Sequence, residues 1–350
     1  FLVLSGGQYF WPDEGRYQRS IRAADALWAG DIHGSLRALH SADHFLFKVI
    51  GVVPATMQII IAPSPKIPAL FFSLFSVASL WLMWGIMRIT GENERVALFS
   101  VILLSFCTTF LYYCRHLLPY DAAMALGLFS LFVGIRIPTR AVDSILCGFF
   151  SACAFLTYNG YWVLAGFAML THTLRPPLKF DHCARRGFIS GVSFAVPVVA
   201  LLALSHAVGG NLLQKFIHFS RTVTQGSYSE GWSFPFFYLW HSEHFLILLW
   251  AFALIFSLWQ FARRRRKVAM IFGLSGILVI YGLLVIFSVV LEQLVVYGRL
   301  VRQLVPFCCI LAALFLEQLW TSAPKGKSIV IVILVIAAFQ TAVNFQHPFT

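Results

Sequence analysis

Apolar runs of bilayer length alternate with short polar breaks along most of this chain. They fall at roughly 67 to 88, 95 to 113, 119 to 136, 142 to 158, 160 to 174, 187 to 207, 244 to 261, 268 to 290, 303 to 320 and 328 to 344. Each approaches the ~20 residues that a helix needs to cross a hydrocarbon core. The period-2 alternation of an outer-membrane barrel is absent, which leaves helices as the spanning elements. Phe1-Leu2-Val3-Leu4 is too short to span or to act as a signal peptide, so residues 1–10 are expected to be the tail of a first span. The pattern predicts an all-α polytopic membrane protein, a bundle of about 10–11 transmembrane helices.

Between residues 11 and 66 the pattern changes. Tyr17, Ile21, Ala24 and Trp28 recur at helical spacing, while Arg16, Arg19, Arg22 and Asp25 fall mostly elsewhere on the wheel. This predicts an amphipathic helix lying along the membrane interface. The expected organisation is one transmembrane domain: a first loop at 11–66 with interfacial helices, spans over 67–207, a second loop at 208–243, and spans over 244–350. A soluble C-terminal domain is not expected.

Composition supports the membrane reading. The 350 residues are 59% hydrophobic, 16% aromatic and only 11% charged, with a mean hydropathy of +0.80. So few charges cannot clothe a soluble globule of this size. The net charge of +12 does not indicate nucleic acid, because the basic residues sit in short loops between spans. With the first loop outside, the inner loops collect Arg88, Arg95, Arg136, Arg140, Arg175, Lys179, Arg185, Arg186, the Arg263 to Lys267 run, Lys325 and Lys327. That is the positive-inside bias. Seven cysteines without a CxxC pair read as small buried hydrophobes, not as a zinc site or a disulfide framework.

The external face then holds most of the groupings that could do chemistry. Asp13 and Glu14 follow Pro12, where acids cap a helix start, yet either carboxylate could serve as a general base. Arg115, His116 and Asp121 join two spans. There an arginine can snorkel and an aspartate can cap, but an acid at the membrane boundary is costly and usually functional. Arg299 and Arg302 stand three apart and would share a helix face. Guanidinium forks suit phosphate oxygens, and interfacial anchoring is the competing reading. The Tyr228 to Trp240 stretch is dense in aromatics, from which Tyr228 or Trp232 could stack on a sugar. His241 and His244 lack an obvious third ligand, so no metal site is expected.

These residues, in this order and on one side, resemble a known family. Pro12-Asp13-Glu14-Gly15-Arg16-Tyr17 resembles the acidic first loop of GT-C glycosyltransferases, in the branch of protein O-mannosyltransferases and lipid A aminoarabinose transferases. Ser41 to Lys48 resembles the segment that closes that loop. Arg115 to Asp121 resembles the Arg and Asp pair between the third and fourth spans, and Arg302 to Pro306 the late Arg-x-x-x-Pro element. Two departures are visible: His44 is followed by Phe45 where many members carry proline, and the sequence stops shortly after its last span.

The resemblance implies an inverting transfer of sugar from a polyprenyl-phosphate donor to a lipid, glycan or protein acceptor at the external, periplasmic face of a bacterial inner membrane. It implies Asp13 as the base with Glu14 beside it. Lys48, Arg115, His116, Asp121, Arg299 and Arg302 are expected at the donor phosphate, and Arg16, Tyr17, His44, Tyr228 and Trp232 at the sugar or acceptor. A lipid phosphate is already a competent leaving group, so no metal or other cofactor is required. Membrane lipids, and possible subunits of a membrane complex, complete the expected partners. A flippase of lipid-linked sugar, or a non-catalytic subunit keeping the scaffold, are the alternative readings; the near absence of charge inside the spans disfavours the first.

Overall fold

The computed structural model describes residues 15–40, 44–136, 140–207, 211–214, 217, 231–265, 267–292, 296, 298–322 and 324–346. The described residues form helices and turns without a strand. Asp13, Glu14 and Tyr228 lie outside them. Each apolar run foreseen in the sequence coincides with a helix or a broken pair of helices. The chain divides into two compact units, residues 1–79 with 112–226 and residues 80–111 with 227–350.

Among the described residues, six helices are long and apolar enough to cross a membrane: Lys66–Ile89, Phe180–Ala207, Phe245–Ala262, Val268–Val290, Gly298–Ser322 and Gly326–Asn344. Glu94–Ser105 and Thr108–Cys114 meet at a 66° bend, and together they are long and apolar enough for a broken span or a re-entrant loop. The remaining runs give shorter helices than expected. Residues 119–136 yield only Tyr120–Gly134, 142–158 yield Ala141–Thr157, and 160–174 yield Trp162–Thr173 after a 3-10 turn at Asn159–Tyr161. Capping residues and the 3-10 turn take up the ends of these runs.

In the first unit, α1 (Tyr17–Trp28), α2 (Ile32–Leu39) and α3 (Phe45–Ile60) occupy the first loop. The face of α1 that buries is Tyr17, Ser20, Ala23 and Ala24, whereas Trp28 is exposed. Tyr17, Ala24, Phe47, Ala55, Phe72 and Leu117 form one apolar cluster. Close packing of α1 on α3 depends on Gly51, because a Cβ there would lie 2.5 Å from the Ser20 hydroxyl. α2 is capped by the Asp31 carboxylate, which accepts from the Gly34 amide at 2.7 Å.

Four further helices of this unit pack together: α7 (Tyr120–Gly134), α8 (Ala141–Thr157), α9 (Trp162–Thr173) and α10 (Phe180–Ala207). α8 meets α10 at Gly148, where a Cβ would come within 2.1 Å of the Ser190 carbonyl oxygen. Small residues allow such backbone approach where lipid gives no hydrophobic drive to pack helices. Ser130 and Ser151 hydroxyls, 2.8 Å apart, join α7 to α8.

In the second unit, α5 (Glu94–Ser105) packs on the helix Val305–Ser322. Asn93 caps α5 by accepting from the Val96 amide at 2.9 Å, and its side-chain amide donates to Glu317 at 3.1 Å. Cys107 and Cys309 sulfurs lie 3.7 Å apart as free thiols.

Candidate functional site

In the first unit, several of the expected residues gather where α3 begins, α7 begins and α8 ends. His44 sits at the start of α3 in the left-handed region, φ 51° and ψ 45°. That conformation costs a non-glycine residue on the order of 1–3 kcal/mol and persists where surroundings over-determine it, often at functional sites. The buried His44 ring packs against Tyr158 at 4.9 Å between centroids. Tyr158 can reach it because α8 ends at Thr157 and residue 158 turns to extended backbone, φ −148°.

A file of rings continues from there. Tyr158 meets Tyr120 edge-on at 4.8 Å, Tyr120 meets Tyr113 at 5.0 Å, Tyr113 meets Tyr112 at 5.1 Å, and Tyr112 meets His116 at 5.0 Å. These separations lie in the range where aromatic pairs attract beyond simple burial. The file brings His44 and His116, 72 positions apart in sequence, into one contiguous cluster of imidazoles and phenols. Asp121 is buried beside Tyr120 in the first turn of α7, where the helix dipole favours a carboxylate.

Lys48 lies one turn along α3 from His44 and is 0% exposed. Its carbonyl accepts from the Ser20 hydroxyl at 2.9 Å, which ties α3 to α1. Tyr17 donates to the Gln58 side-chain oxygen at 2.8 Å and stands edge-on to Phe72. Arg16 occupies the N-cap position of α1 and is half-buried. Arg115 closes the 3-10 turn Tyr112–Arg115 that also carries two of the tyrosines.

The second unit holds the late arginines. Gly298–Val301, a 3-10 turn at Arg302–Leu304 and Val305–Ser322 follow one another as helical backbone. Arg302 is 0% exposed, while Arg299 is half-buried. Arg302 donates from Nη2 to the Phe110 carbonyl at 3.1 Å, and its guanidinium lies over the Phe110 ring at 5.2 Å. Trp232 is 62% exposed, and its carbonyl accepts from the Tyr281 hydroxyl at 2.9 Å.

Phe110 is itself fixed by Glu243. The fully buried Glu243 carboxylate accepts from the Thr108 amide at 2.9 Å, from the Thr109 amide at 2.7 Å and from the Thr109 hydroxyl. It caps the short helix Thr108–Leu111 just after the bend. Burial pushes the Glu243 carboxyl up to about 7, against those hydrogen bonds, which pull it down. Asn344 adds a hydrogen bond to the Thr108 hydroxyl at 3.0 Å. His241-Ser242-Glu243-His244 thus contributes its glutamate as a structural acceptor. Among the described residues, no group of three His, Cys, Asp or Glu side chains could hold a metal ion.

The tyrosines at 112, 113, 158 and 161 were not foreseen from sequence. The one signal available was the pair of tyrosine-bearing breaks, Tyr112-Tyr113 and Tyr158-Asn159-Gly160-Tyr161, each closing an apolar run.

No family model and no curated protein matches the chain. Solved structures do. The chain is similar to the crystal structure of ArnT from Cupriavidus metallidurans bound to undecaprenyl phosphate, with a TM-score of 0.63 and 13% identity over 95% of this chain and 60% of that one. For the apo state of the same protein the TM-score is 0.55, with 15% identity over 92% of this chain and 57% of that one. The chain therefore spans about 60% of the length of the ArnT it matches. Its helices, its apolar spans and its likeness to those structures give it an ArnT-like, all-helical fold with the spans of a multi-pass membrane protein.

Proposed function

We propose that the protein is an inverting GT-C glycosyltransferase that takes a sugar from a polyprenyl-phosphate donor. The observation that carries the reading is the shared fold with an ArnT structure bound to undecaprenyl phosphate, joined to a buried Lys48, His44, His116 and tyrosine cluster in the unit that holds the first loop.

The reaction is a single displacement. Asp13 accepts the proton of an acceptor hydroxyl or amine as its oxygen or nitrogen attacks the anomeric carbon. The bond between that carbon and the phosphate oxygen breaks, and the electron pair leaves with the lipid phosphate. Glu14 stands beside the base. Lys48, Arg115, His116, Asp121, Arg299 and Arg302 are assigned to the donor phosphate. Preorganised cations and donors of this kind stabilise the developing phosphate charge more than they stabilise the donor ester. Arg16, Tyr17 and His44, with Tyr228 and Trp232, serve the sugar and acceptor, whose rings the aromatic faces can stack against. The acidic loop faces the periplasm of a bacterial inner membrane, as the distribution of loop arginines favours.

The test uses the full chain reconstituted in lipid with polyprenyl-phosphate sugars and a panel of lipid, glycan and protein acceptors. Transfer by the wild type and its loss in Asp13→Asn is the expected result. Equal transfer by both removes Asp13 as the base, and donor binding without any transfer points to a non-catalytic scaffold.

A further inference from the structure

A second site lies at the other end of the α7 to α10 group. α8 has 17 residues, so its two ends stand roughly 25 Å apart. Tyr158 and the histidine and tyrosine cluster follow its C-terminal end. Its N-terminal end, together with the Arg175-Pro176-Pro177 segment after α9 and the first turns of α10, lines a cavity of about 420 Å³. That volume falls within the ~300–1,000 Å³ of small-molecule sites.

Arg140, Ser144, Arg175, His182, Arg185 and Arg186 line it. Arg175 and Arg186 are each 7% exposed, and the Nε atom of each is buried without a hydrogen-bond partner. Both also donate to backbone carbonyls. Arg175 donates to the Gly134 carbonyl at 3.0 Å, and Arg186 to the carbonyls of Thr173 at 3.0 Å and Pro177 at 3.2 Å and to that of Arg175. These bonds close the ends of α7 and α9 and hold the two guanidinium groups rigid. Burial, then the neighbouring Arg186 charge, lowers the Arg175 pKa from its ordinary value. Asp143 is the nearby carboxylate, and it accepts from the Arg140 amide at 2.8 Å. Asp181 lies in the first turn of α10 and is exposed. Four arginines around one cavity leave an excess of positive charge.

An unpartnered buried donor is costly and asks for an acceptor. Arginine forks match phosphate oxygens, and the starts of α8 and α10 add the positive ends of two helix dipoles. Exposed Val142 and Ile145 on α8 and Phe188 and Val192 on α10 continue outward from this end as apolar surface. We propose that this arginine-lined cavity binds a phosphate group, at the end of α8 opposite the His44 and Tyr158 cluster. A phospholipid headgroup and a free phosphate share that chemistry, and the test separates them.

The full chain is placed in phosphatidylcholine nanodiscs and titrated with inorganic phosphate and pyrophosphate, following thermal unfolding. In parallel, phosphatidylglycerol is added to the detergent-solubilised protein and its retention is followed by native mass spectrometry. Arg140→Ala/Arg185→Ala removes two exposed cavity arginines while keeping the backbone amide by which residue 140, the N-cap of α8, donates to Asp143, and Arg185→Gln alone serves if the double variant does not fold. Retention of phosphatidylglycerol that falls about tenfold in the variant supports the site and assigns the lipid source. Stabilisation by phosphate or pyrophosphate that the variant loses supports it and assigns the free source. Equal lipid retention and equal phosphate response in wild type and variant overturn the proposal.

Discussion

The two ends of the α7 to α10 group are built from different chemistry on one set of helices. At the Tyr158 end, phenols and imidazoles pack ring to ring, and Lys48 is buried on the adjoining α3. At the Arg175 end, guanidinium groups bind the carbonyls that terminate helices and keep a cavity open between them. The first arrangement offers hydroxyls and rings that can both stack and hydrogen-bond, as a sugar with a lipid phosphate requires. The second offers concentrated charge with little stacking surface, which suits an anion. The contrast teaches that burial alone does not mark function in this protein; what distinguishes the ends is whether donors are aimed at the protein's own backbone or gathered around one another.

The largest expected effect separates the ends by activity. Lys48→Gln should lower the initial rate of sugar transfer on the order of 100-fold, the scale lost when a preorganised charge donor is removed, and Lys48→Arg should retain part of the rate. Arg140→Ala/Arg185→Ala should leave the rate within about twofold. Comparable losses in both would dissolve the distinction.

The next effect concerns packing at the tyrosine end. Tyr158→Ala removes a ring that touches His44, Tyr120 and Tyr161, and should destabilise the protein by about 3–5 kcal/mol. Tyr158→Phe keeps the ring and should cost less than about 1.5 kcal/mol while lowering transfer. Thermal unfolding alongside initial rates checks both.

A change midway along α8 tests whether the ends share one frame. Gly148→Ala places a methyl against the Ser190 backbone, so overpacking should cost about 1–3 kcal/mol. Both transfer and phosphate response should weaken together.

A further effect lies in the other unit and depends on pH. The Glu243 carboxyl rises from the ordinary value of 4.5 to about 7, so the native state holds more protons than the unfolded chain across that window. Stability should therefore fall as pH rises from 4.5 towards 7. Glu243→Gln should flatten this part of the curve of unfolding temperature against pH, and an unchanged slope would remove Glu243 as its source.

The sequence made much of the fold legible because apolar length is a local property. Each of the runs from 67 to 344 coincides with helical structure, and even the bend at Phe106 and Cys107 lies inside a single run. Helix ends were less legible: α9 is shortened by a 3-10 turn that no spacing announced. Of the candidate site, His44, Lys48 and His116 were readable as polar residues in apolar surroundings. Tyr113 and Tyr158 were not, since their meaning comes from Tyr120, which they touch from different segments. The capping role of Glu243 was hidden in the same way, since the amides that donate to it, of Thr108 and Thr109, lie 135 and 134 residues away. Asp13, whose role the family resemblance supplied, stays a matter for experiment.

The central claim is a single displacement at the anomeric carbon of a polyprenyl-phosphate sugar. Its most direct measurement is the anomeric configuration of the transferred sugar, read by nuclear magnetic resonance from a donor of defined configuration. The account expects inversion. Retention of configuration, which needs two successive displacements, would contradict it.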